Sequence, residues 1–242
     1  MNNWATTKAG GTPASSIPGA GTDVVFQWDA LTNAPVTTTL EQNFKINSLS
    51  FEPAFTNPLT DTPTSVTINP GTLSTSRLEV APQVSTDGVQ ILAGGSPVVT
   101  INSMFKLGNH QTWNVFDSGS TLIFTNNITG VAGATNLIIN GGASATGTII
   151  LRSAAGVATY TGSTSIVAGR LILEGGASDR LPVATALTLG AGSTSGILQL
   201  GDATNGASNS AVGNLGCRAR LRIETQLFRM SLPFRLCRCW TT

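Results

Sequence analysis

The sequence predicts an all-β protein whose short strands stack in successive coils. Three observations support this fold class. Charged residues make up only 10% of the 242 residues, against about 25% in an ordinary globular domain. Short β-branched or leucine-rich runs recur between Gly, Asn, Pro or Asp residues. Before residue 217, no stretch has the charged face that a water-exposed helix carries.

Length and hydrophobic content allow a substantial core. With 40% hydrophobic residues, the chain has enough apolar side chains for one large core or two small ones. Residues 118–151 hold no charge, and residues 181–216 hold only Asp202. Long uncharged stretches of this kind indicate strands and small-residue turns rather than exposed helices.

Twelve short runs are predicted strands because each is rich in β-branched residues or leucine and ends at a turn former. They are residues 24–26, 46–51, 66–68, 78–80, 98–101, 122–124, 137–139, 148–151, 165–167, 170–173, 187–189 and 197–200. A β-sandwich and a solenoid would both produce such runs.

The spacing of the runs favours the solenoid. From residue 120 onward, hydrophobic clusters recur with a small-residue turn after each, as stacked coils require. Residues 120–200 are therefore expected to form successive coils. The side chains expected to point mostly inward are Ile138, Ile150, Leu171, Leu173, Leu187, Leu189, Leu198 and Leu200.

The segment ATYTGSTSIVAGRLILEGG, residues 158–176, resembles the autotransporter-associated β-strand repeat. That repeat combines a Tyr-Thr-Gly-x-Thr segment, a short strand, a glycine and a second strand with alternating leucines. The matching positions, which the resemblance makes structural repeat-motif residues, are Tyr160, Thr161, Gly162, Thr164, Ile166, Gly169, Leu171 and Leu173. Residues 2–26 resemble the entry segment that precedes such repeats, and LGNHQTWNV (107–115) resembles a short element found between entry and repeat.

The resemblance implies a right-handed parallel β-helix with an N-terminal entry or capping segment. On this interpretation residues 1–60 are the entry segment, residues 61–216 are solenoid coils, and residues 217–242 are an atypical basic tail. The tail holds all three cysteines and six arginines against Glu224. It is expected to be foreign to the fold, for example the product of a frame error, with a basic amphipathic segment as the alternative.

Few residues suggest chemistry. His110, the sole histidine, is expected to be a polar corner residue beside Trp113 rather than part of a catalytic triad. Asp23 and Asp29 would suit glycoside hydrolysis only as a close pair, and turn capping is the favoured role. The tryptophans Trp4, Trp28 and Trp113 are expected to fill solenoid ends or corners rather than to stack on sugars.

The tail pair Cys237 and Cys239 lacks a second ligand pair, so no zinc site is expected. No catalytic, cofactor or metal residue is predicted. The resemblance to the repeat implies a segment of a secreted or surface-displayed bacterial passenger protein. Because no catalytic residue is predicted, the expected function of this segment is non-enzymatic, either structural or adhesive. Its expected partners are further solenoid repeats and host-surface or matrix glycans, with no nucleic acid and no membrane insertion. Export would then require a signal upstream of Met1.

A polysaccharide-acting β-helix enzyme is the alternative function. Such an enzyme would gather acidic and basic side chains from adjacent coils in one groove. Convergence of Asp117, Arg152, Arg170 and Glu174 would favour it, and scattering of these residues would count against it.

Overall fold

The computed structural model of the protein describes residues 15–27, 35–52, 65–72, 75–83, 86–94, 97–133, 135–152, 158–174, 180–201 and 214–217. Within these ranges the chain forms β-strands and no helix. The strands pair in parallel and stack as a β-solenoid. The all-β solenoid prediction is confirmed.

The strands form three parallel sheets. The eight-stranded sheet contains β1 (Asp23–Gln27), β4 (Ser48–Glu52), β7 (Asp87–Ile91), β10 (Gln111–Val115), β13 (Leu137–Ile139), β15 (Thr164–Ile166), β17 (Ala186–Leu189) and β19 (Asn214–Cys217). The seven-stranded sheet contains β2 (Val36–Thr39), β5 (Ser65–Asn69), β8 (Val98–Ile101), β11 (Thr121–Phe124), β14 (Thr148–Arg152), β16 (Arg170–Glu174) and β18 (Ile197–Leu200). The four-stranded sheet contains β3 (Phe44–Ile46), β6 (Arg77–Val80), β9 (Met104–Leu107) and β12 (Ile128–Gly130).

Each of the first four coils, from β1 to β12, places one strand in each sheet before the chain returns to the first sheet. The chain runs through β1, β2 and β3, and β4 then pairs in parallel with β1. In the described part of the chain, no strand after β12 joins the four-stranded sheet, and a single bridge joins Ile128 to Ala158. Strands β1 to β4, which lie in the predicted entry segment, already belong to the three sheets.

The core lies between the sheets because alternate residues of each strand point inward. In β4 the inward side chains are Leu49 and Phe51, and in β16 they are Leu171 and Leu173. All four are at most 1% exposed. The same alternation in successive coils joins their apolar side chains into one continuous core.

Several strand boundaries differ from the sequence prediction. The predicted run 46–51 is two strands because the chain turns a corner at Asn47, whose backbone N–H donates to the Thr22 carbonyl at 2.9 Å. The predicted strand 165–167 is shifted to Thr164–Ile166. The sequence prediction also missed β2, β7, β9, β10, β12 and β19.

Candidate functional site

Tyr160 of the repeat motif is a core residue. Its side chain is 1% exposed, and its hydroxyl oxygen lies 2.6 Å from Thr164 Oγ1. Thr164 Oγ1 in turn lies 3.1 Å from Thr185 Oγ1, which donates to the Gly162 carbonyl at 2.8 Å. Burial raises the pKa of Tyr160, so the phenol stays neutral. This buried network links two successive coils.

The two motif glycines sit where a side chain does not fit. A Cβ on Gly162 would overlap the Thr135 carbonyl and lie 2.6 Å from the Asn136 nitrogen. Gly169 has a φ of +63°, a left-handed conformation that favours glycine. A Cβ there would also overlap the side-chain amide of Asn140. Close approach between coils therefore explains both positions.

Thr161 lies at an exposed corner of the same coil. Its hydroxyl donates to the Gly133 carbonyl at 2.5 Å, which ties the motif to the coil before it. Leu171 and Leu173 of the motif lie in the core. Every motif residue from Tyr160 to Leu173 thus contacts a neighbouring coil or the interior. The motif positions hold the coils in register.

The inward-pointing predictions are confirmed for four leucines and wrong for two isoleucines. The confirmed set, at most 1% exposed, is Leu171, Leu173, Leu187 and Leu189. Leu198 and Leu200 pack against the core but are only partly buried. Ile138 alternates with the buried Leu137 and Ile139 and so points outward. Ile150 packs outside the core with Ile123 and Ile172.

Asn140 is a corner residue that the sequence analysis missed. It is fully buried with a φ of +51°, a conformation that asparagine tolerates better than most residues. Its Oδ1 accepts the Val115 N–H at 2.9 Å, and its Nδ2 donates to the Gly147 carbonyl at 2.9 Å and the Ala168 carbonyl at 3.3 Å. One amide therefore satisfies backbone groups of three coils.

A second asparagine corner joins the seven-stranded and four-stranded sheets. Asn102 Nδ2 donates to Asn69 Oδ1 at 2.8 Å, and Thr125 Oγ1 donates to Asn102 Oδ1 at 2.7 Å. These three residues occupy equivalent corners of successive coils. Polar ladders of this kind satisfy corner groups that would otherwise be unpaired.

The side chains that were considered as catalytic candidates also form hydrogen bonds to neighbouring coils. His110 is exposed, and its Nδ1 accepts the Asn136 N–H of the next coil at 2.9 Å. The Asp23 carboxylate accepts bonds from Asn47 Nδ2 and Ser48 Oγ, both at 2.6 Å. Asp29, the other half of the proposed carboxylate pair, lies outside the described residues.

The four residues whose convergence would favour an enzyme do not all meet. Arg152 and Glu174 form an ion pair on adjacent strands, and Glu174 is fully buried. Arg170 lies four residues from Glu174, about 13 Å along β16, and donates to Gln199 Oε1 at 2.9 Å. Asp117 lies in the turn after β10 and accepts the Gly94 N–H at 2.8 Å.

Trp113 is an interior residue. It is fully buried, stacks on Phe124 with ring centroids 4.3 Å apart, and meets Phe105 edge-on at 5.5 Å. Its Nε1 donates to the buried Gln111 Oε1 at 2.9 Å. A residue so enclosed offers no face to a sugar ring. Trp4 and Trp28 lie outside the described residues.

A charged ladder crosses the outward face of the four-stranded sheet. Lys45 and Lys106 place their ammonium groups 3.1 and 2.9 Å from the two oxygens of Glu79, which lies between them in register. Burial works to raise the pKa of Glu79, but the hydrogen bonds and charges of Lys106 and Lys45 outweigh it and hold the pKa below its usual value.

This ladder makes part of the stability pH-dependent. Because the pKa of Glu79 is lowered on folding, the stabilisation is complete above the unfolded value of 4.5 and is lost as pH falls through the folded value. We expect Glu79→Gln to cost about 1–2 kcal/mol of unfolding free energy near neutral pH and much less near pH 3. Urea unfolding at both pH values measures the difference. Arg170→Gln is the control and should lower the free energy of unfolding by the same amount at both pH values. A pH effect in Arg170→Gln as large as that in Glu79→Gln would contradict the assignment of the pH dependence to Glu79.

No metal site or membrane helix is found in the part of the chain that the structure describes. No cluster of three His, Cys, Asp or Glu side chains is placed there to hold a metal ion. Likewise, none of the described segments forms a helix long and apolar enough to cross a membrane. Cys217 ends β19, whereas Cys237 and Cys239 fall in residues 218–242, outside the described ranges.

The chain matches no protein-family model, and no curated protein or solved structure matches it. Its stacked coils and their polar contacts therefore carry the functional interpretation.

Proposed function

We propose that the chain is a non-enzymatic structural or adhesive segment of a secreted or surface-displayed bacterial passenger protein, built from autotransporter-associated β-strand repeats. The resemblance of residues 158–176 to that repeat supports the family. The stacked parallel coils are the architecture that the resemblance implies.

One observation carries the proposal: the polar side chains with catalytic potential bond to neighbouring coils. His110 accepts from Asn136, Asp117 accepts from Gly94, and Asp23 accepts from Asn47 and Ser48. A side chain committed to holding two coils together gains stability by keeping its geometry. Catalysis instead requires a group that can exchange protons with a substrate. The pattern therefore favours a scaffold.

Further solenoid repeats are the proposed structural partners. Among the described residues, β18 is the last strand of the seven-stranded sheet, and its Leu198 and Leu200 are only partly buried. A following coil would cover these leucines and pair with the outer edge of β18. Matrix or host-surface glycans are the proposed adhesive partners, and the outer surface of the cell is the proposed location.

The experiment combines localisation with an activity test. Antibodies against the purified chain should label intact source cells without permeabilisation, or detect the protein in the culture medium. The purified chain should release no reducing ends from pectin or alginate. Labelling only after permeabilisation would contradict surface display. Turnover that is abolished by Asp23→Asn or Asp117→Asn would establish the enzyme alternative instead.

A further inference from the structure

The outward face of the four-stranded sheet is rich in cations. Its four strands contain three basic residues and one acidic residue, a net charge of +2. These residues, which we call the cationic face, are Lys45, Arg77, Lys106 and Glu79. Each alternates along its strand with an inward apolar residue, so all four point outward.

The other two sheets carry their charge differently. The strands of the eight-stranded sheet contain three acidic residues and no lysine or arginine, a net charge of −3; the acidic residues are Asp23, Glu52 and Asp87. The seven-stranded sheet has Arg152, Arg170 and Glu174, with Arg152 paired to Glu174. Among the described strands, positive charge is thus most concentrated on the smallest sheet.

The basic groups of the cationic face are its accessible part. The Lys45 side chain is 53% exposed and the Lys106 side chain 22% exposed, whereas that of Glu79 is only 9% exposed. Glu79 therefore lies beneath the two ammonium groups that it pairs with. A molecule approaching this sheet meets positive charge first.

We propose, resting on the adhesive function above, that the cationic face binds a carboxylated polysaccharide. Lys45 and Lys106 are two strand spacings apart, about 10 Å, and Arg77 lies two residues, about 7 Å, from Glu79 on the strand between them. A flexible chain with carboxylates at regular intervals can reach all three cations while it lies across the strands. The strands of the eight-stranded sheet contain no lysine or arginine and so offer the same chain no cation.

The chemistry of the face favours a polysaccharide over other polyanions. Single-stranded nucleic acid is held by aromatic side chains that stack on bases, but the aromatics of these strands, Phe44 and Phe105, alternate with the lysines and belong to the inward side. Anionic membranes select clusters of about four to eight basic residues. A second copy offers an acidic face, yet its Asp23 and Asp87 already accept hydrogen bonds from Asn47 and Asn114.

Calorimetric titration with polygalacturonate tests the proposal, with dextran as the uncharged polymer. Arg77→Gln and Arg170→Gln form a matched pair, since each removes one cation from a different sheet. We expect Arg77→Gln to weaken binding about twofold to fivefold and Lys45→Gln/Lys106→Gln about tenfold. Arg170→Gln should bind like the unaltered protein. Binding should weaken at high salt, and dextran should not bind. Circular dichroism and thermal unfolding confirm that each variant is folded.

Several results would overturn the proposal. They are no binding of polygalacturonate by the folded protein, an equal loss in Arg170→Gln, or tighter binding of single-stranded DNA or phosphatidylserine vesicles. Sedimentation that shows self-association lost in Arg77→Gln would assign the face to a second copy. Surface labelling of cells is measured separately, so a surface-displayed protein that ignores polygalacturonate would reject this inference alone.

Discussion

Replacing Trp113 with alanine is expected to lower the free energy of unfolding by about 3–5 kcal/mol, the range for removing a large buried aromatic. Trp113 is fully buried and packs on both Phe124 and Phe105. Its loss also leaves the buried Gln111 Oε1 without its donor, which adds a desolvation penalty. Urea unfolding followed by far-UV circular dichroism measures the change.

Ile138→Ala is the matched control for this large effect. Ile138 also lies in the eight-stranded sheet but points outward and is only partly buried. We expect it to cost less than about 1 kcal/mol. If Ile138→Ala destabilised the protein as much as Trp113→Ala, the assignment of inner and outer faces would be wrong.

Gly162→Ala is expected to be strongly destabilising for a single-methyl change, with a loss of about 3 kcal/mol. The new Cβ would overlap the Thr135 carbonyl and approach the Asn136 nitrogen within 2.6 Å. Both are backbone atoms of the preceding coil, so neither can rotate away, and the two coils would have to separate. Thermal unfolding of the variant measures the loss.

Gly21→Ala serves as the control because nothing lies within 4 Å of a Cβ at that position. Its cost should stay within about 0.5 kcal/mol. A Gly162→Ala protein as stable as Gly21→Ala would show that the two coils are not in close contact at Gly162.

The strands that could be predicted from sequence are those made of aliphatic residues. Runs such as 122–124 and 187–189 become β11 and β17 with little change. Strands β7 and β10 were missed because DGVQI and QTWNV mix polar and apolar residues. The polar side chains are tolerated in the stack because the next coil satisfies them, as Asn114 does by donating to Asp87 at 3.1 Å. Such a partner, 27 residues away, leaves no local signal.

The errors at Ile138 and Ile150 have a different cause. Both lie in uninterrupted apolar runs, where no alternation of polar and apolar residues shows which side chains point inward. The pairing with neighbouring strands decides the direction instead. Ile150 lies in register with Ile123 and Ile172, and these three isoleucines form their own cluster outside the core. A second apolar ladder, outside the core of the solenoid, could therefore not be predicted by considering each strand by itself.

The cationic face was likewise invisible along the sequence. Lys106 lies 27 residues from Glu79, and charges so far apart appear unrelated until their strands are paired. The repeat motif was easier to find because its glycines and threonines lie close together in the sequence, within one coil, although they also contact a neighbouring coil. The role of the motif in the structure, however, could be recognised only from the contact between the Tyr160 and Thr164 hydroxyl groups.

Electron paramagnetic resonance of spin-labelled pairs tests the central claim, the in-register stacking of parallel coils, most directly. In a background with the three cysteines replaced by serine, labels at positions 165 and 188 would sit on adjacent strands β15 and β17, where Ser165 pairs with Thr188. Their backbones are about 5 Å apart, so strong dipolar broadening is expected. Labels at positions 50 and 165, four strands apart in the same sheet, about 19 Å, should show none. Absence of broadening for the 165/188 pair, or equal broadening for both pairs, would contradict the stacked solenoid.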